Sequence, residues 1–583
     1  ARPGVAASIS VDGNMIVSGI TTFGGAVNFP STSGNVITAG KLGIGFTDAN
    51  VKVGNTALDS LTTGNYNTAV GNAALTANTT GNNNTSVGNE SLDANTTGAS
   101  NTAIGAAALG VNSTGDNNVA VGALALDANT TASSNTAVGR ASLSANTTGS
   151  SNVAVGYNSL VSNTTASNNT AVGTDALSVN TTGTQNVAVG GLALENNNAN
   201  DNTAIGYSTM EENTTGTHNT AVGAFALEAN TTGSENTAFG KSALGYNVSG
   251  DGNTALGRSA LSANLASENT AVGHDALLSN VTGTNNVAVG AYSLDAANTD
   301  NNTAIGYQAM TNATASECVA VGSRALKAQT SAARCTAVGS EAATAITTGS
   351  DTTAIGRSAL AACVTGSSNT ALGSKALMNY TGSQLTAVGH NALEDAVSNL
   401  QSTAVGYNAL SNATASYNTA IGWTALTACT TGQTNVAVGD AALATLTTQS
   451  NCTAVGHFAL NANAADENTA IGTNALRANS TGSQNTAVGR SAMPNCTTGS
   501  GNTAMGHDAG GNVTTGGSCT FFGDNAGSMI TTGTQNTFLG YYAGVGHISD
   551  GTTSNVLYIT RNDSGAGAAA TWIKGTSSGA CYQ

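Results

Sequence analysis

The sequence predicts an all-β fold, a parallel β-solenoid (β-roll) of 17-residue coils, and three observations predict it. A glycine closing pentads of the type Asn-Thr-Ala-Val-Gly recurs at Gly71, Gly88, Gly105, Gly122 and Gly139, each 17 residues after the last. From Gly54 to Gly540 there are 29 such intervals, 22 of length 17 and 7 of length 16, with no insertion among them. The composition suits a narrow stacked core: 40% of residues are hydrophobic, mostly Ala, Val and Leu, while 8% are charged and 4% aromatic. Self-similarity at a fixed period is the signature of units that bury their apolar faces only by stacking on neighbours.

With that glycine as position 0, the consensus runs Asn −4, Thr −3, Ala −2, Val −1, Gly 0, two variable residues, Ala +3, Leu +4, two more variable residues, Asn +7, then Thr-Thr-Gly and two polar residues. Thr and Val at alternate positions predict a short strand over −4 to −1. Ala-Leu at +3 and +4 predicts a second short strand, with two bends per coil. Helix is excluded by the density of Gly and Asn-Thr-Thr. In the 16-residue coils one residue is lost between Asn +7 and the next Asn −4. Six of these seven coils also lose the turn glycine, as in Asn264–Asn269, the exception being Tyr380-Thr-Gly382. The longer turn is therefore expected to need a positive φ that glycine supplies. Coils stacked at about 4.8 Å make a rod of roughly 140 Å. A rod this slender is expected to need partner chains.

The cysteines fall in register. Cys318, Cys335, Cys452 and Cys519 sit at −4, and Cys363, Cys429 and Cys496 at +7. They are read as unpaired thiols replacing a buried corner Asn that accepts only small substitutes. Cys318 and Cys335, in adjacent coils, are the only pair close enough to bridge. No CxxC or metal-ligand spacing is present, so neither metal nor cofactor is expected. The recurrent Asn-x-Thr is read as turn chemistry, not as glycosylation acceptors.

Position +1 carries the large side chains. It holds Tyr157, Tyr207, Tyr307, Tyr407, Trp423 and Tyr541, together with His274, His390, His457 and His507 and several Arg and Lys. It reads as an outward corner, either an ordinary solvated edge or a ribbon able to stack on surface sugars. Candidate surface contacts are Tyr157, Tyr207, Tyr307, Tyr407, Trp423, His457, His507 and Tyr541, with Tyr558 and Trp572 near the C-terminus. Acidic residues form no recurrent pair, and no nucleophile shares register with a base, so the chain is not expected to be an enzyme. A net charge of −16 argues against nucleic acid as a partner. No run of 18 apolar residues predicts membrane insertion.

Three regions follow: 1–50, short Gly-broken strands expected to attach to other proteins; 51–545, the coil shaft; and 546–583, a strand-rich tip. Toward the tip Leu +4 becomes Gly510, Gly527 and Gly544, while Ala −2 becomes Phe521 and Phe538. These two positions are expected to share one space at conserved volume.

Two resemblances carry the functional expectation. Coil cores such as Asn118-Val-Ala-Val-Gly122 resemble the repeat of trimeric autotransporter adhesin heads, whose coil is shorter. That resemblance implies a left-handed β-roll assembled as a homotrimeric rod. The segment from Asn555 to Gln583 resembles the stretch preceding the endosialidase-type intramolecular chaperone of phage tail-fibre proteins. It implies a mature chain released by cleavage: an extracellular virion fibre whose N-terminal end meets other virion proteins. Its distal end would face a host-surface glycan or protein. The alternatives are a bacterial trimeric surface adhesin or extracellular filament, and an ice-binding solenoid using the Thr ladder at −3. The last is disfavoured because −3 is expected to be buried.

Overall fold

One short strand per coil, at −3 to −1, builds a single parallel sheet of 31 strands from Val51–Val53 to Leu557–Thr560. The computed structural model describes residues 50–560 except 297, 398–400 and 546–547, together with Ala7–Ile9, Met15–Val17, Thr571–Gly575 and Cys581–Tyr582. Pairing is in register throughout: Ala171 lies between Ala154 and Ala188, and Val172 between Val155 and Val189. The solenoid predicted from the repeat is therefore present, and its coils follow the 17- and 16-residue spacing as far as Thr537–Leu539, the last strand lying 20 residues further on. Within 1–50, Ala7–Ile9 and Met15–Val17 form an antiparallel pair; the rest of that segment lies outside the described residues.

The strand shows which of its two faces is inside. Ala −2 is fully buried in coil after coil (Ala69, Ala103, Ala120), while Thr −3 and Val −1 are partly exposed on the other face. The expectation that −3 is buried is corrected. Across the narrow interior, Ala74 and Leu75 at +3 and +4 form the facing wall, both at 0% exposure. The space between the walls admits a methyl group at −2 and one larger side chain at +4. Where Ser86 replaces Ala at −2, Ser91 replaces Ala at +3 of the same coil, and the two hydroxyls meet at 2.6 Å. A buried polar group costs little when its partner is built in beside it.

The second strand expected at Ala-Leu is not a strand. Positions +2 and +4 are left-handed, as at Ala73 (φ 52°) and Leu75 (φ 54°). Amides here alternate in direction. Ala73 N–H donates to the Asn55 carbonyl of the preceding coil at 2.9 Å, and Leu58 N–H donates to the Ala74 carbonyl of the following coil at 3.0 Å. Left-handed backbone costs about 1–2 kcal/mol per residue, which the buried leucine, worth about 1.5–3 kcal/mol, offsets together with the inter-coil hydrogen bonds of these amides. The same backbone explains the choice of residue. Position +4 is Leu, Met, Ala or Gly and never β-branched, because β-branched side chains are strained at positive φ. Position −1, in the strand, is mostly Val or Ile.

Two buried ladders hold the corners. At −4, the Asn67 N–H donates to Asn50 Oδ1 (2.7 Å), and Asn67 Nδ2 donates to the Gly81 carbonyl (2.9 Å). At +7, Asn95 Nδ2 donates to Asn78 Oδ1 (2.8 Å) and to the Gly98 carbonyl (2.9 Å). The turn glycine at +10 is the acceptor shared by both ladders. It is not left-handed; a Cβ on Gly81 would come 2.3 Å from the Gly98 carbonyl oxygen and 2.4 Å from Asn78 Oδ1. Crowding, not a positive φ, is what favours glycine there, and Ala132 and Ala166 occupy the same position. In the shorter turn the shared carbonyl moves one residue closer: Ala199 O accepts from Asn197 Nδ2 (2.9 Å) and Asn186 Nδ2 (2.8 Å). Glycine 0 does need its conformation: Gly71 has φ +146°, and a Cβ there would lie 2.2 Å from the Gly88 carbonyl oxygen.

The cysteines occupy these ladders as free, buried thiols at the seven described positions. Cys318 and Cys335 are unbridged; the Cys335 N–H donates to Cys318 Sγ at 3.4 Å, as to an Asn oxygen. The corner at +7 is less selective than expected. It also buries Tyr380, Ile346, Leu446, Val513 and Ile530.

Both ends of the stack depart from the repeat. Lys52 replaces Ala at −2 of the first described coil and reaches Asp59 Oδ1 at 2.5 Å. Near the other end Phe521 and Phe538 stack at 5.7 Å. A Cβ on Gly527 would lie 2.2 Å from the Phe521 ring, and one on Gly544 would lie 2.4 Å from Phe538. The Leu-to-Gly and Ala-to-Phe changes therefore share one space. The parallel sheet runs past 545 to Leu557–Thr560, then turns antiparallel through Thr571–Gly575 and Cys581–Tyr582.

Candidate functional site: the outward corner

Positions +1 and +2 follow the glycine corner and point away from the core. Because coils repeat at the strand spacing, large side chains at +1 in adjacent coils come into contact. The structure gathers them into short patches. Tyr157 is 46% exposed, and the Arg140 guanidinium lies 5.7 Å from its ring centre. Tyr207 meets Phe225 edge-on at 5.7 Å. Tyr307 packs on Tyr292 at 6.2 Å, which in turn meets His274 at 5.3 Å.

A second patch also spans three coils. His390 stacks on Tyr407 at 5.3 Å, and Tyr407 meets Trp423 edge-on at 5.7 Å. Trp423 remains 58% exposed. Further along, His457 packs on Phe458 (4.1 Å) and faces Asp440 (3.3 Å). His507 lies between Asp508 (3.3 Å) and Asp524 (3.6 Å), with Arg490 at 2.5 Å. Tyr541 packs on Tyr542 at 4.5 Å.

Two candidates differ from these. Tyr558 is not on the surface; it is 2% exposed and continues the Phe521–Phe538 stack, 5.5 Å from Phe538. It occupies −2 of the last parallel strand, so its ring turns inward. Trp572 belongs to the strand Thr571–Gly575, and its side chain lies outside the described residues. Reading +1 alone missed the ring partners at +2, namely Phe225, Tyr292, Phe458 and Tyr542. The signal was an aromatic at +2 in the same coil as, or next to, an aromatic at +1.

The electrostatics of the rod are those of exposed carboxylates. Burial, then the neighbouring Glu211 and Glu212, hold Glu228 above the usual carboxylate range. Burial, then Glu211 and Asp175, do the same for Glu195. Among the described residues no group of three His, Cys, Asp or Glu side chains converges as a metal site. A polar groove at Thr381–Gln384 and Gln401–Thr403 is lined by Thr, Ser, Gln and Gly, with no titratable side chain. No described helix is long and apolar enough to cross a membrane. No known family model matches the chain, and no curated protein or solved structure matches it.

Proposed function

We propose that this chain is the shaft of an extracellular attachment fibre, a virion fibre assembled as a homotrimeric rod. One observation carries the reading. Over 31 strands the coil is interrupted by no inserted unit, while exposed rings and charges vary at its outward positions, with the ring contacts gathered at +1 and +2. A geometry that repeats its core and its ladders and varies only at outward positions gives reach and many weak contacts, not a single deep site. Several copies in one rod multiply such contacts by raising effective concentration at a cell surface. The N-terminal end would join other virion proteins and the distal end would face a host-surface glycan or protein. Native mass measurement with electron microscopy of the purified chain tests the assembly. The expected result is three-chain rods about 140 Å long; a single chain in native buffer overturns it. Labelled rods applied to a panel of bacterial strains test attachment, and binding to none of them overturns that part.

A second reading has an observation of its own. The Thr row at −3 lies on an exposed face, as in Thr68–Val70, which is where an ice-binding surface would have to be. Thermal hysteresis of the purified protein would favour it.

A further inference from the structure

We infer that the outward face of the parallel sheet, positions −3 and −1, is a seam along which copies of this chain pack against one another. The inference rests on the fibre reading for its partner chains and adds where they meet. Position −1 is Val, Ile, Leu, Phe or Met in every one of the 31 strands, and never polar. Yet in the single chain it is half-exposed: Ile104 is at 40%, Phe239 at 41%, Leu256 at 50% and Phe522 at 49%. Position −3 beside it is Thr or Val up to the last strand, where it is Leu. A solvated row repeated this often would have taken Lys, Glu or Asn somewhere, as +1 does.

Parallel sheets are rarely left open, because both faces of such strands are ordinarily covered. Here one face lies on the core and the other is bare. The bare face is about 10 Å wide and about 140 Å long from strand geometry, or roughly 1,400 Å² per chain. A stable interface needs about 800 Å² per partner, and exposed apolar patches above a few hundred Å² mark contact surfaces.

The period decides the occupant. A partner must repeat at the coil spacing to follow this row along its length, and a second copy does so by construction. In a parallel, in-register assembly about an axis along the rod, each level meets only its own counterpart. Phe239 then faces Phe239, and Val222 faces Val222, so every level of the row meets an apolar side chain. Ice is a poorer occupant. It requires a flat, uniform array, and Phe239, Leu256 and Phe522 stand above their valine neighbours.

The full chain tests this with two sets of variants. In the first, Val222→Glu, Ile305→Glu and Val388→Glu are combined, and a control combines Ser323→Glu, Ser340→Glu and Thr473→Glu at +1. Each new carboxylate can reach water in the single chain, and circular dichroism verifies that the coils form. The seam variant is expected to fall to single-chain mass while the control keeps the wild-type mass. In the second, Val338→Cys should be joined to a second chain by a short bismaleimide, above the wild-type background, and Ser340→Cys should not. A multi-chain wild type that neither variant set perturbs overturns the seam and leaves self-assembly standing. A single-chain wild type overturns both, and thermal hysteresis in that case assigns the face to ice.

Discussion

The −4 and +7 corners both carry buried Asn ladders, but they tolerate change very differently. At +7 the row admits Ile346, Leu446, Val513, Ile530 and even Tyr380, all at 0% exposure. At −4 the departures are chiefly Cys318, Cys335, Cys452, Cys519, Thr352 and Ser402, with Leu385 and Val556 as the apolar exceptions. The hydrogen bonds explain the contrast. Each −4 asparagine accepts the backbone N–H of the next coil, as Asn152 Oδ1 accepts from Asn169 N–H at 2.9 Å. A +7 oxygen serves mainly the next +7 amide, as Asn146 Oδ1 accepts from Asn163 Nδ2 at 2.9 Å. Removing two adjacent side-chain partners can be nearly neutral, whereas stranding a buried backbone donor is costly. Sulfur is accepted at −4 because it still receives that N–H: Asn536 N–H donates to Cys519 Sγ at 3.5 Å.

The largest expected effect is alkaline. Burial pushes the +7 thiols Cys429 and Cys496 up to about 11 from the ordinary 9.0. The unfolded chain loses these protons first, so the fold has its full stability below about pH 9 and loses it as pH rises toward 11. At two pH units the loss is at most about 2.7 kcal/mol per thiol. Denaturant unfolding from pH 8 to 11 should show this slope, and Cys429→Asn with Cys496→Asn should lessen it, the thiols of Cys363, Cys452 and Cys519, also pushed up by burial, supplying the remainder. An unchanged slope in that variant would assign the loss elsewhere.

Next in size is Asn152→Ala, which leaves the Asn169 N–H without its acceptor. We expect a loss of about 2–4 kcal/mol, seen as faster hydrogen exchange at the Asn169 amide. Asn152→Cys should cost only about 1 kcal/mol, because the sulfur keeps a weaker version of the bond. A smaller effect than that of Asn152→Ala is expected for Asn146→Leu at +7, about 1–2 kcal/mol, because it leaves the side-chain oxygen of Asn129 without its donor but strands no backbone N–H. If Asn146→Leu proved as costly as Asn152→Ala, the contrast between the ladders would fail.

Much of this was readable beforehand. The repeat gave the coil and its length variants, the register of Cys318 and Cys363 placed them in ladders, and the Phe521 and Gly527 exchange located a shared space. The outward row of Tyr157, Tyr407 and Trp423 was readable from its variability alone. Its ring partners at +2 were not, because their contacts depend on the left-handed turn that aims them. Nor was the tolerance of +7, since one Asn symbol hides whether its oxygen serves a backbone or a side chain.

The amino-acid order alone determined that coils stack in register, because only in-register stacking pairs each Asn with the next. It could not say which side of the strand is inside. Alternation divides Thr-Ala-Val into two faces, and the two bulky side chains are the ones that hydrophobicity and β-propensity would bury. Closure of the coil decided otherwise: the left-handed turn at +2 and +4 brings the Leu wall so near the strand that the narrow interior has room for little beyond a methyl group. Ala −2 went in, and Val −1 was left outside along the whole rod.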